Sequence, residues 1–262
     1  MKKALLPLLL CSTTSFASEP VRTFAELIYL NFDDVHTTGA GVTHYFADQS
    51  HLGAFDEFGY LDTDSSFSAG YAHTSSDFIG EIYSSTYVID GEYITNNFLI
   101  GGTYQNTSND YFDSSSKNIR FGYFLQENLV VKALYSDKTE DFYFSGQYSH
   151  QLAGNDYFGV TLDTDQELNY VGASSTYFTH LGGDNYLRLG LDVSDITEFD
   201  LDHSLFYAAY YFNAGTNVSL SATTDDWEHI GVKYFYQDNA AFFVDISNDS
   251  DNTMTFGLSG HW

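Results

Sequence analysis

Ile230, Val232, Tyr234 and Tyr236 fall on one face of an extended chain, with His229, Gly231 and Lys233 on the other. Successive side chains of a strand point to opposite sides, so a two-residue period of this kind marks a strand with one apolar and one polar face. The period recurs. Ile119, Phe121, Tyr123 and Leu125 alternate with Asn118, Arg120 and Gly122, and Leu187, Leu189, Leu191 and Val193 alternate with Arg188, Gly190 and Asp192. Ala240, Phe242, Val244 and Ile246 oppose Asp245 and Ser247. Each segment has about ten residues, the length a tilted strand needs to cross the hydrocarbon layer. No segment of the mature chain is apolar enough for a transmembrane helix, so insertion into lipid requires a closed barrel, which leaves no backbone polar group unpaired.

The last ten residues, Thr253 to Trp262, keep the alternation to the final side chain, with Met254, Phe256, Leu258, Gly260 and Trp262 on one face. An apolar face carried that far implies pairing with another strand rather than fraying. This segment resembles the C-terminal strand of Gram-negative outer-membrane β-barrels, in which a terminal Phe or Trp is a recognition signal. The resemblance implies that Phe256, Leu258 and Trp262 form an assembly signal read by the barrel assembly machinery. Gly260 departs from it, since a larger apolar residue is usual there.

At the other end Lys2 and Lys3 precede the apolar run Ala4 to Leu10, and Ser15-Phe16-Ala17 supplies the small residues of a cleavage site. This predicts a signal peptide over residues 1–17 and a barrel domain over 18–262. The run is well short of the roughly 18 apolar residues of a spanning helix. Cys11 suggests a lipoprotein as a minor alternative, but Leu10 is too large for the position before a lipidated cysteine. Cleavage removes the only cysteine, which excludes disulfide frameworks and zinc–thiolate sites.

Composition favours a membrane barrel over a soluble lectin-like sandwich, the competing all-β reading. There are 22 Tyr and 23 Phe but 2 Pro and 2 Trp, and mean hydropathy is −0.23. Abundant aromatics without aliphatic blocks suit strands that meet lipid on one side and water on the other, with Tyr and Phe in interfacial girdles.

The connections divide into two sets. Gln126-Glu127-Asn128, Ala153 to Asp156, Leu181 to Asp184, Asn213 to Thr216 and Gln237 to Asn239 are tight and carry the Gly and Asn that turns demand. Between them lie longer or more acidic links: Gln105 to Lys117, Ser136 to Asp141, Leu162 to Glu167, Asp195 to Asp202, Thr223 to Glu228 and Ser247 to Asn252. Placing Trp262 in the periplasm makes the first set periplasmic turns and the second extracellular loops. Counting back from Trp262 gives one strand too many unless a candidate is rejected. In Leu52 to Leu61 the residues Leu52, Phe55, Phe58 and Leu61 recur every third position, which is wrong for a strand. The expectation is therefore an antiparallel up-and-down transmembrane β-barrel of 16 strands, with 14 as the alternative. The Phe55 segment becomes a short helix, a periplasmic excursion or an inward fold.

Signal peptide, tight turns, brief acidic loops and aromatic last strand together resemble the general bacterial porins of marine gamma-proteobacterial outer membranes. The similarity spans the mature chain. It implies passive diffusion of small hydrophilic solutes, an integral location in the outer membrane beside lipid and lipopolysaccharide, and no cofactor. Trimeric porins of that wider kind fold a long loop into the channel. The link Gln105 to Lys117, with Tyr111 and Phe112, is short for that task. Wall side chains or the Phe55 segment must then narrow the pore, and homo-oligomerisation stays an open expectation.

Charge bears on selectivity. The chain holds 36 acids against 9 bases, and loss of Lys2 and Lys3 takes the formal charge from −27 to −29. Such acidity argues against a nucleic-acid partner. Part of the excess sits on loops, as Asp225, Asp226, Asp249 and Asp251 indicate, where it aids solubility or binds divalent ions. The remainder would enrich cations at the mouth and favour their passage. Strand phase assigns Glu81, Arg120, Lys132, Arg188, Asp192, Lys233 and Asp245 to the water side as candidate pore-lining residues, because a base facing lipid at mid-depth costs roughly 2–4 kcal/mol. Bases opposite acids would set up a transverse field, or simply pair.

An enzymatic barrel, protease or lipase, and a structural or adhesive one remain the alternatives. His150, His180, His203, His229 and His261 are scattered without ligand spacing, and no Gly-x-Ser-x-Gly occurs. No enzyme or metal site is expected.

Overall fold

The computed structural model describes residues 21–76, 82–109, 111–196, 201–224, 228–248 and 253–262. The expected signal peptide, Glu81 and the loop acids Asp225, Asp226, Asp249 and Asp251 lie outside them. Sixteen strands follow one another: β1 (Val21–Phe32), β2 (Val35–Gln49), β3 (Ser66–Ser76), β4 (Ile82–Thr95), β5 (Phe98–Asn109), β6 (Asp113–Gln126), β7 (Leu129–Ser136) and β8 (Phe142–Gln151). The second half comprises β9 (Tyr157–Asp165), β10 (Tyr170–Gly182), β11 (Asn185–Ile196), β12 (Leu201–Asn213), β13 (Thr216–Thr223), β14 (Glu228–Gln237), β15 (Ala240–Ser247) and β16 (Met254–His261).

Every strand pairs antiparallel with its sequence neighbours, and β1 pairs with β16 to close the barrel. The closing register runs from Phe24 opposite His261 to Asn31 opposite Met254. Trp262 is held as well, exchanging backbone hydrogen bonds with Thr23 at 2.7 and 2.9 Å. Closure removes the edge strands that would otherwise expose unpaired backbone groups, which is what lipid demands. Among the described residues no helix is long and apolar enough to cross a membrane; the chain crosses with strands.

The alternation decides which side chains meet lipid. On β6, Ile119, Phe121, Tyr123 and Leu125 are exposed on the outer surface while Asn118, Arg120, Gly122 and Phe124 turn inward. On β16, Phe256, Leu258 and Trp262 face outward and His261 is buried inside. Strand β12 is aromatic on both faces for a reason that its sequence conceals. Phe206, Tyr210 and Phe212 are exposed outside, whereas Tyr207 and Tyr211 pack inside against other residues that fill one end of the barrel.

The tight turns gather at the Trp262 end. Four strand pairs slip register next to them, at Phe124/Gln126, His180/Gly182, Tyr211/Asn213 and Phe235/Gln237, as bulged hairpins do. Asn96, Gly182 and Gly183 take the positive φ such turns require, at 51°, 110° and 64°. At the far end the links are shorter than their composition suggests. The expected loop Gln105 to Lys117 shrinks to residues 110–112, since Gln105 pairs with Ser116 and Thr107 with Ser114. The Asn109 side chain accepts the amides of Tyr111 and Phe112, both at 2.9 Å, and caps a tight turn. Tyr111 is 75% and Phe112 57% exposed, so neither packs against the wall or the plug. Likewise β9 reaches Asp165 and β10 begins at Tyr170, leaving a link of residues 166–169 where Leu162 to Glu167 was expected as loop.

One link breaks the pattern. Residues 50–65, between β2 and β3, form no strand or helix and belong to the Trp262 end, where the other connections are tight.

Candidate functional site: a plugged lumen

The link 50–65 turns into the barrel and seats on its inner wall. Its sequence explains this. Leu52, Phe55, Phe58 and Leu61 alternate with Asp56, Glu57, Asp62 and Asp64, so the segment offers apolar groups and carboxylates in several directions at once, as an element surrounded by wall needs. Gly53 and Gly59 supply φ of 126° and 104° that other residues rarely adopt.

Apolar contacts anchor it on opposite walls. Ala54 is fully buried with Tyr157, Phe178, Ala209 and Tyr211, and Leu52 and Tyr60 pack beside them. Leu61 packs against Leu99, Phe124 and Val130. The Phe58 ring meets Phe24 edge-on at 4.8 Å and His261 at 5.6 Å, and Phe55 meets Phe235 at 5.5 Å. Tyr60 lies over the Gly159 backbone so closely that a Cβ there would come within 2.1 Å of its ring. These rings account for the inward-facing aromatics of β9, β10 and β12: they form a small water-excluding core within an otherwise polar lumen.

Polar contacts fix its register. Glu57 is 2% exposed and accepts hydrogen bonds from the Tyr157 hydroxyl at 2.8 Å and the Gly59 amide at 3.2 Å; Arg188 Nη1 stands 3.4 Å from its Oε2. Asp56 Oδ2 is 3.3 Å from Lys233 Nζ and accepts from Asn217 at 3.4 Å. The Tyr45 hydroxyl donates to Asp62 at 3.1 Å, Gln49 to Asp64 at 3.0 Å, and Tyr60 shares a hydroxyl contact of 2.6 Å with Thr161. The backbone joins in, with the Phe55 amide on the Ala214 carbonyl at 2.9 Å and Asn155 Nδ2 on that of Leu52 at 3.2 Å. The contacts are densest on β5 to β7 and β9 to β14, with fewer on β1, β2 and β16.

The residues predicted from strand phase divide accordingly. Arg188 and Lys233 hold the plug carboxylates Glu57 and Asp56. Lys132 feels the charges of Asp62 and Asp90, and of Arg120 beside it. Arg120 pairs on the wall with Glu92, and with Asp90 at 3.1 Å. Asp192 lies in electrostatic reach of Asp163, across β10, and Asp245 Oδ1 is 3.1 Å from His229 Nδ1. Glu81 falls outside the described residues. Strand periodicity missed the acids on the other side of these pairs, Asp56, Glu57, Asp62, Asp90 and Glu92, and the inward Glu26 of β1. A long link amid tight turns, rich in both carboxylates and aromatics, was the available signal for the first three. Among the described residues no group of three or more His, Cys, Asp or Glu side chains could hold a metal ion.

Burial pushes the Glu57 carboxyl above the usual range despite the opposing pull of Arg188 and the Tyr157 hydrogen bond. Burial raises Asp62 as well, against its bond from Tyr45. A carboxyl whose pKa is higher when docked than when free favours docking at low pH, and this contribution fades as pH rises through the elevated value. Transient release of the plug, seen as brief large steps in single-channel current, should therefore be rarer in acid than at neutral pH. Acid-induced opening would contradict this sign.

The chain matches, over residues 1–260, the family described as "putative general bacterial porin". No curated protein matches it. Among solved structures it is similar to the Acinetobacter baumannii outer membrane protein Omp33, at 15% identity and TM-score 0.50 over 93% of this chain and 98% of that one. It is also similar to a mutant porin of Rhodopseudomonas blastica, at 11% and 0.50 over 92% and 99%. CdiB from Acinetobacter baumannii aligns at 11% and 0.59, over 94% of this chain and 61% of that one. These likenesses are of fold, and the fold is that of outer-membrane barrels. The family match extends across the barrel and plug alike, and the chain belongs to the general bacterial porins, integral β-barrel proteins of the outer membrane.

Proposed function

We propose that this porin admits small hydrophilic solutes by passive diffusion and prefers cations. The charge balance inside the barrel carries the reading. Without the signal peptide the chain has seven bases, of which Arg120, Lys132, Arg188 and Lys233 point inward among the described residues and Arg22 at the start of β1 pairs with Asp48. Arg120, Arg188 and Lys233 pair with carboxylates of the plug or the wall, and Lys132 is within electrostatic reach of Asp62 and Asp90. Glu26, Asp163 and Asp192 remain on the inner face with no base beside them among the described residues. Uncompensated acids in a narrow lumen with low-dielectric walls concentrate cations and repel anions.

In this reading the Trp262 end, and the plug with it, faces the periplasm, and residues 1–17 are a cleaved signal peptide. Phe256, Leu258 and Trp262 present the outward apolar face that the barrel assembly machinery would recognise, and the acidic far-end links lie beside lipopolysaccharide. The family and fold are those of a channel rather than an enzyme.

Reversal potential across a salt gradient in planar bilayers tests the preference. Cation selectivity that weakens as ionic strength rises is expected, because salt screens the inner acids over about 10 Å at 0.1 M and 3 Å at 1 M. Anion selectivity would refute the cation reading, and a correctly folded barrel without conductance would refute the channel.

A further inference from the structure

The plug is seated off-centre. Most of its apolar anchors lie on β5 to β7, β9 to β12 and β14, with Phe24, Tyr45 and His261 at its margin. A cavity of about 470 Å³ remains between Asp56 and Phe58 of the plug and the wall of β1 to β4, with Lys233 and Phe235 of β14 and Ser259 to His261 of β16 at its side. A second, of about 290 Å³, shares Glu26, Gly41, Gly70 and Val88 with the first and continues past Ile28 and Thr86 toward the far end. The two form one lateral route along this wall. It is recessed because Gly39, Gly41, Gly70 and Ala72 present almost no side chain; a Cβ on Gly41 would meet nothing within 4 Å.

The charges on this route are few. Lys233 and Asp56 line it but stand 3.3 Å apart and offset one another. Glu26 lines both cavities, and among the described residues its carboxylate makes no hydrogen bond or ion pair. The carboxylate is exposed to the lumen between inward Phe24 and Ile28. A single unmatched acid lining the space that the plug leaves open acts directly on an ion passing there, whereas acids farther along the lumen act through more intervening water.

We propose that solutes pass the docked plug along the β1–β4 wall and that Glu26 is the specificity-determining residue of this route, favouring small organic cations over anions. The proposal rests on the porin reading but goes beyond it, since a porin could equally conduct through a displaced plug.

The full chain is reconstituted in planar bilayers, each variant first shown to be folded by heat-modifiable mobility. Reversal potentials are taken in gradients of potassium chloride and of arginine hydrochloride. Glu26→Gln, nearly isosteric, should bring the cation-to-anion permeability ratio close to unity, and Glu26→Lys should invert it. Gly41→Trp should cut conductance to a small fraction. Gly146→Trp is the control: that position is equally open but lies on the lipid face, in phase with Phe144 and Tyr148, and conductance should not change. Wild-type selectivity in both Glu26 variants, or wild-type conductance in Gly41→Trp, would overturn the proposal while leaving the porin reading intact. A wild type that does not conduct sinks the porin reading itself. Should Gly41→Trp fail to fold, the Glu26 variants decide alone.

Discussion

Replacing residues 50–63 with a short Gly-Asn turn is expected to raise single-channel conductance several-fold and to shift the channel from sharp to weak discrimination among solutes. The barrel can bear the change. β2 and β3 are already paired from Val35 opposite Ser76 to Tyr45 opposite Ser66, and the Phe46 amide bonds the Ser65 carbonyl at 2.9 Å, so a hairpin closes there without the plug. None of the strand ladders runs through the excised segment. A barrel of 16 strands leaves an aqueous lumen unless something fills it. Here the filling at the Trp262 end is the plug with its aromatic seat. Removal has a cost, since Tyr157, Phe178, Leu99 and Val130, all nearly inaccessible now, would face water. Each such side chain forfeits roughly 1.5–3 kcal/mol of burial, so a lower thermal unfolding midpoint in detergent should accompany the higher conductance. Unchanged conductance would mean that the resistance lies elsewhere along the lumen.

How far the sequence foretells this arrangement depends on the range over which each feature is encoded. Strand faces are local: on β6 or β11 a two-residue period places Arg120 or Arg188 inside and Phe121 or Leu189 outside without any knowledge of the rest. The strand number follows from one negative observation, the three-residue spacing of Leu52, Phe55, Phe58 and Leu61, which fits no lipid-facing strand. Loop lengths are less legible. Gln105 to Ser108 and Ser114 to Ser116 read as loop because they are polar on both faces, yet a ladder that rises beyond the membrane meets water on both sides and needs no apolar face. Charge pairing across the lumen is the least legible. Glu57 and Arg188 are far apart in sequence, and nothing near either residue names the other; only closure of the barrel and inward folding of the link bring them together. The doubly aromatic face of β12 hints at this, because an inward Tyr211 beside an outward Tyr210 makes sense only if something apolar sits inside.

Arg188→Met is expected to loosen the plug more than any other single substitution that leaves the link intact. Glu57 is 2% exposed, and Arg188 supplies its only nearby positive charge among the described residues. Breaking a buried pair by removing one partner typically costs about 3–5 kcal/mol, because the remaining charge stays desolvated. The Arg188 side chain is 36% exposed, so solvent already screens part of the interaction and the low end of that range applies. Roughly 3 kcal/mol corresponds to on the order of a hundredfold in the equilibrium between docked and released plug. The strand ladders are untouched, so heat-modifiable folding should persist while large current steps become frequent. Glu57→Gln alone should be milder: it removes the charge whose burial is costly and keeps an acceptor for the Tyr157 hydroxyl. The double variant Glu57→Gln with Arg188→Met should therefore restore much of the docking lost in Arg188→Met. Equal loosening in the single and double variants would show that Arg188 acts by packing over Tyr207, whose ring centre lies 5.8 Å from its guanidinium carbon, rather than by holding Glu57.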